Sequence, residues 1–169
     1  LSTTYYYLDT AGAAQKIFKG DEIADYTHDF KTGRDSYYFY GAVTDQGADG
    51  VRASAADTDM EMTRSAISRS AAFDEGNLRS ETFYNLSGTK GEERAWYSYN
   101  YGSICNNMTA TEIYTYEVTG VREDERMISS STFDGTVLYA DVDSPLAANV
   151  KLSTTYYYLD TAGAAQKIF

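Results

Sequence analysis

Eighteen consecutive residues occur twice in this chain, and that duplication restricts the folds open to it more than any other feature. Leu1–Phe18 reads LSTTYYYLDTAGAAQKIF, and Leu152–Phe169 repeats it letter for letter at an offset of 151 residues. Identity over that length does not arise by chance. The expected organisation is one full tandem unit, residues 1–151, followed by the start of the next, residues 152–169, as a segment of a longer array. A terminus duplicated by design would give the same letters. Identical segments in an array should take the same conformation, one translation and rotation apart along an axis. Arrays of this kind stack one supersecondary unit on the next and usually do mechanical or display work rather than turnover.

A Tyr-rich strand recurs inside the unit. Its copies are residues 3–8, 36–40, 81–86 and 111–118, with the duplicate around Tyr158. The last tyrosines of these stretches are Tyr7, Tyr40, Tyr84, Tyr116 and Tyr158, at intervals of 33, 44, 32 and 42 residues. Short and long intervals alternate, which predicts two degenerate half-repeats of about 75 residues, each of two sub-units. Period-two alternation along a strand then puts Tyr5, Tyr7, Tyr38, Tyr40, Thr82, Tyr84, Tyr114 and Tyr116 on one face. Tyr6, Phe39, Phe83 and Thr115 take the other. Aromatic and β-branched residues on both faces suit strands, and stacked in neighbouring strands they form ladders worth roughly 0.2–1 kcal/mol per pair. Tyr suits a half-wet wall, since its ring buries while its hydroxyl finds a partner.

Turn signals separate these strands. Residues 9–12, 87–91 and 133–136 carry the Gly and Asp that tolerate positive φ. Returning strands are expected at residues 15–19, 22–30, 93–101, 126–133 and 137–141. The stretch 53–72 admits a short helix after Ala55-Ala56-Asp57, but a strand over 62–70 is favoured. Pro145 belongs to a loop. Turns are short and no linker interrupts the unit. The expected class is all-β, built from antiparallel hairpins.

The rhythm of Tyr strand, acidic Gly turn and return strand resembles the YD-type (RHS-like) repeats of very large bacterial surface proteins. The phrases at residues 20–27 (GDEIADYT), 51–57 (VRASAAD) and 62–65 (MTRS) also resemble arrays in giant bacterial tandem-repeat proteins. The chain departs from the family pattern in the Tyr-Asp dipeptide: Asp9 follows Tyr7 by two residues, and Gly41 follows Tyr40. The resemblance implies hairpins wound into a β-solenoid, tube or shell wall. It implies no catalytic residues, because in such proteins activity lies in separate domains.

Charge narrows the partners. The chain carries a net charge of −11, and the duplicated segment is neutral with Asp9 and Lys16, so each unit adds the full negative charge. An array would be a soluble, self-repelling polyanion, unsuited to nucleic acid, which needs clustered Lys and Arg. No run of 18 apolar residues provides a membrane span. Aromatic content of 15% excludes a disordered acidic tail. Cys105 stands alone, an inert thiol or a crosslink between chains, and forms no internal disulfide.

Chemistry is sparse. His28 is the single histidine, expected on a solvated strand position. There is no Gly-x-Ser-x-Gly elbow and no His-Glu-x-x-His helix, and one His with one Cys does not make a zinc site. The glycine-rich residues 41–50 lack the Lys-Ser/Thr of a phosphate loop. Asp45, Asp49, Asp57 and Asp59, with Asp141 and Asp143, are calcium candidates because clustered loop carboxylates can supply six to eight oxygens; solvated acidic turns are the plainer alternative. Asn85 and Asn107 open the sequons Asn-Leu-Ser and Asn-Met-Thr and are glycosylation candidates. The functional expectation is a structural repeat of a long extracellular fibre, tube or surface stalk, without catalysis or cofactor. Its partners are adjacent identical repeats. The alternative is an adhesin or carbohydrate-binding module on such a stalk, with Tyr faces stacking on sugar. A hydrolase would require a cleft with converging carboxylates.

Overall fold

A computed structural model describes residues 1–7, 23–41, 50–52, 60–70, 72–85, 90–103, 107–118 and 125–157. The stretches rich in Tyr, Thr, Ser and Phe are extended, as residues that pack well on a pleated surface favour. They form β1 (Ser2–Tyr7), β2 (Ile23–Asp29), β3 (Arg34–Tyr40), β4 (Val51–Arg52), β5 (Met62–Ser68), β6 (Leu78–Asn85), β7 (Arg94–Tyr101), β8 (Met108–Tyr116), β9 (Met127–Asp134) and β10 (Lys151–Tyr156). All belong to one antiparallel sheet in the order β1-β2-β3-β5-β6-β7-β8-β9-β10, with β4 pairing β3 off that path. Among the described residues, helix is limited to two 3-10 turns, Glu75–Asn77 and Tyr139–Asp141. The chain is therefore all-β. The sheet is open, with β1 at one edge and β10 at the other.

Short-range pairing follows from the turns. In the β2–β3 hairpin Gly33 takes φ +66° and donates its N–H to the Asp29 carbonyl at 2.7 Å. The Asp29 carboxylate accepts from the N–H groups of Lys31 and Thr32, which holds its pKa below the usual carboxylate range. Beyond Tyr37, β2 no longer pairs with β3, and β4 takes its place opposite Phe39 and Tyr40.

Pairing register assigns the faces. One face carries the cross-strand row Phe39, Arg64, Phe83, Tyr97, Ile113 and Ser131. It also carries the row Tyr5, Tyr26, Tyr37, Ala66, Glu81, Tyr99, Thr111 and Phe133. This is the covered face. Two segments lie over it. Phe73 packs against Tyr37 and Phe39, and Val137 and Val142 are buried against Phe83, Tyr97, Tyr99, Ile113 and Phe133. The Thr111 hydroxyl bonds the Gly135 carbonyl and the Val137 N–H, and Tyr99 donates to the Val137 carbonyl. Burial pushes the Tyr99 phenol up to about 12.

Two sequence expectations change here. Residues 137–141 are not a returning strand: Val137 and Val142 insert into the covered face, and Tyr139–Asp141 makes a 3-10 turn. The β9–β10 connection is correspondingly long, because it lays Val137, Tyr139 and Val142 over the sheet. Tyr5, expected beside Tyr38, stacks instead on Tyr26 at 4.5 Å, on the opposite face from Tyr38. The strand expected at 62–70 is present as Met62–Ser68. The expected strand at 15–19, the turn at 9–12 and residues 53–59 lie outside the described residues.

Candidate functional site

The second face is organised by hydroxyl groups. The Thr4 and Thr27 hydroxyls are 2.8 Å apart, and Thr27 meets the Tyr38 phenol at 3.0 Å. Further along the sheet, Thr82 and Ser98 are 2.8 Å apart, and Ser98 meets the Tyr114 phenol at 3.1 Å. Thr4 stands directly opposite Thr27, and Thr82 directly opposite Ser98. In both trios the tyrosine lies two residues beyond the one facing the middle member: Ser36 faces Thr27, and Glu112 faces Ser98. Each tyrosine faces a serine, Ser65 or Ser130, and each serine faces the next threonine, Thr82 or Thr155. Thr4, Thr27, Tyr38 and Ser65 thus occupy the same relative places as Thr82, Ser98, Tyr114 and Ser130. Thr155, the duplicate of Thr4, begins a third set. The diagonal reach of a phenol also occurs between Tyr84 and Ser65 at 3.1 Å.

Tyr40, Tyr84 and Tyr116 lie on this hydroxyl face, near the ends of β3, β6 and β8. These are alternate strands, so the three rings do not stack on one another; β5 and β7 intervene. Tyr40 packs with Ile23, Tyr38 and Met62 and donates to the Ala24 carbonyl at 2.7 Å. Burial raises the phenol pKa of Tyr40 and of Tyr84, and pushes that of Tyr114 up to about 12. Tyr7 ends β1 opposite Ile23. Tyr158 lies outside the described residues.

The two edges of the sheet are built from the same letters. Phe30 donates its N–H to the Leu1 carbonyl. Bonded and non-bonded pairs alternate along an antiparallel ladder, so Thr3 and Tyr5 turn their backbone groups towards β2, and Ser2 and Thr4 turn theirs outward. At the far edge Tyr157 donates to the Ile128 carbonyl, so Thr155 and Ser153 bond with β9. Ser153 and Thr155 duplicate Ser2 and Thr4. The backbone groups that β1 leaves open are the ones β10 uses. Accessibility agrees: Tyr5, stacked on Tyr26, is 43% exposed against 81% for its duplicate Tyr156. Each copy lacks the neighbour that the other possesses.

Several charged groups elsewhere are paired within the sheet. Arg64, 2% exposed at the middle of the covered face, bonds Glu75 at 2.6 Å and Glu81 at 3.2 Å and lies 4.2 Å from the Phe39 ring centre. Burial raises the Glu81 pKa, against the opposing pull of the Tyr101 hydroxyl and Arg64. His28 is half-buried rather than solvated, with Nδ1 2.5 Å from the buried Asp35 carboxylate, which also accepts from Tyr37. A groove of about 440 Å³ runs past Arg94, Trp96, Tyr116, Asp143 and Lys151. In it Arg94 is paired with Glu125, and Trp96 donates to Asp143.

Asp45, Asp49, Asp57 and Asp59 lie outside the described residues, as does Cys105. Among the described residues no group of three His, Cys, Asp or Glu is placed to hold a metal ion. Asn85 and Asn107 are both exposed. No described helix is long and apolar enough to cross a membrane. Sequence reasoning missed the Arg64–Glu81 pair and the His28–Asp35 pair. The second was accessible, since a hairpin turning at Gly33 sets His28 opposite Asp35. Comparison with protein-family models, curated proteins and solved structures found no match.

Proposed function

We propose that this chain is a structural repeat whose sheet continues from one 151-residue unit into the next, in an extracellular fibre, tube or surface stalk. The observation that carries it is the complementarity of the two edges. β1 presents outward the backbone groups through which its duplicate β10 binds β9. Eight strands lie along the path from β1 to β9. An even number returns the chain to its starting direction, so β10 runs parallel to β1 and the duplicate enters each unit in the same orientation. The recurrence of the threonine, Ser/Thr and tyrosine trio supports two half-repeats of four strands each. At about 4.8 Å per strand, one unit advances the sheet by about 38 Å, and strand twist accumulating along that path would wind a long array. An array also resolves an aggregation hazard, because each internal edge strand finds a partner. Sugar binding draws less support, since the phenols of Tyr38, Tyr84 and Tyr114 are engaged with Ser and Thr of their own sheet.

Thermal unfolding of chains carrying one, two and three units tests this. Stability should rise with unit number, because each junction covers two edges. Equal melting temperatures would mean independent units and would defeat the proposal.

A further inference from the structure

We propose that separate copies of this chain join head to tail by strand exchange: the outward edge of β1 in one copy takes the place of β10 on β9 of another. The partner is a second copy of the chain, and the inference deepens the continuous-sheet reading on which it rests. Ser129, Ser130 and Ser131 of β9 face Tyr156, Thr155 and Thr154. An incoming β1 offers Tyr5, Thr4 and Thr3, the same residues in the same order. The Ser131–Thr154 hydroxyl contact of 3.0 Å becomes Ser131–Thr3. The incoming Ser2 and Thr4 meet β9 with the backbone groups that they turn away from β2, so β1 keeps its own pairing while it docks.

The occupant is fixed by what is seen on the same surface. β10 lies on β9 in one register, and β1 duplicates the four paired residues from Ser153 to Tyr156, while the Lys151–Phe133 pair and the Val150 carbonyl bond to Asp134 belong to β10 alone. Exchange therefore replaces the Ser153–Tyr156 contacts with like ones and gives up those of Val150 and Lys151, so it proceeds once β10 is released. The strands also expose apolar side chains for a partner to cover: Leu1, Tyr5, Tyr6, Val150, Leu152, Tyr156 and Tyr157 make up seven of the twelve exposed large hydrophobics among the described residues. Because β1 and β10 stand at opposite edges and run the same way, the contact is heterologous and open-ended. It builds linear chains of copies rather than a closed dimer.

Two proline substitutions in the full 169-residue chain separate the outcomes. Thr155→Pro removes an N–H that bonds β9 and releases β10. Thr4→Pro removes an N–H that points outward and leaves the bonds of β1 to β2 in place. Sedimentation of Thr155→Pro should show mass rising with concentration through dimers to longer species, while Thr4→Pro/Thr155→Pro stays monomeric. A monomeric Thr155→Pro chain that keeps its sheet by circular dichroism overturns the inference, and so does assembly of the double variant. Should Thr155→Pro lose its sheet, the unsubstituted chain held near the onset of melting gives the second reading: dimers there and none for Thr4→Pro support exchange, and monomers for both overturn it. These outcomes are independent of the joined-unit melting series, which reports junctions within one chain.

Discussion

Replacing Arg64 by Met should cost more stability than any other single change on the covered face. The guanidinium is nearly inaccessible, between the Phe39 ring and the carboxylates of Glu75 and Glu81. Met matches much of the side-chain volume, so the loss is electrostatic rather than a cavity. Glu81 is itself buried and keeps the Tyr101 hydroxyl as a donor. Removing one partner of a buried ion pair costs about 3–5 kcal/mol, because the other charge stays behind without compensation. The lost cation–π contact adds about 1 kcal/mol. At about 2–4 °C per kcal/mol for a chain of this size, the melting temperature should fall by roughly 15 °C. Urea unfolding followed by the fluorescence of Trp96, the single tryptophan, measures it. Arg64→Met/Glu81→Leu should recover most of the loss, since replacing a whole buried pair by apolar groups is often neutral. A single variant within 1 kcal/mol of the parent, or a double variant worse than the single, would refute the reasoning.

Three further outcomes follow from the same geometry. Burial holds the folded pKa of Glu81 above the ordinary glutamate value of 4.5, so the folded state holds this proton more tightly than the unfolded chain. That contribution is full below about pH 4.5 and fades as pH rises through the folded pKa. The stability of the parent relative to Glu81→Gln should therefore decline from acid to neutral pH, and a rising difference in paired urea titrations would contradict it. Gly50→Ala should cost roughly 2–4 kcal/mol, because Gly50 has φ +87° and an added Cβ would sit 2.9 Å from Phe39 Cβ and 2.8 Å from the Tyr40 nitrogen; an unchanged denaturation midpoint would show that β4 is not held against β3. Ser98→Ala removes the middle hydroxyl of its trio and should cost about 1–3 kcal/mol, more than Tyr114→Phe at about 0.5–1.5 kcal/mol, with the reverse order in calorimetry counting against a connected chain of hydroxyls.

The all-β class was legible because the Tyr strands alternate with recognisable returns, and β2, β7 and β9 fall within two residues of their expected bounds. The common face of Tyr38, Tyr40, Tyr84 and Tyr114 was also legible, since a short Tyr strand fixes its own alternation. β1 was not. Tyr5-Tyr6-Tyr7 offers three identical side chains, so nothing in the letters chooses between two registers, and a one-residue slip reverses every side chain. Arg64 was equally hidden. A charged residue in mid-strand suggests solvent until its partners are known, and Glu75 and Glu81 reach it only through the β5–β6 pairing. The span 135–150 looked like a turn and a short strand because Val137 and Val142 are isolated apolar residues. Their role depends on a hydrophobic face assembled from four other strands.

The account's central claim is that one sheet passes unbroken from unit to unit, and the structure of a chain bearing three successive 151-residue units tests it most directly. Electron cryo-microscopy or crystallography should show eight strands per unit and an advance of about 38 Å along the sheet per unit. At each junction Ser130 should lie opposite the residue that Thr155 represents, and the Tyr156 ring should stack on the next copy of Tyr26 as Tyr5 does here. Three separate sheets joined by linkers, or a junction strand paired elsewhere than on β9, would contradict it.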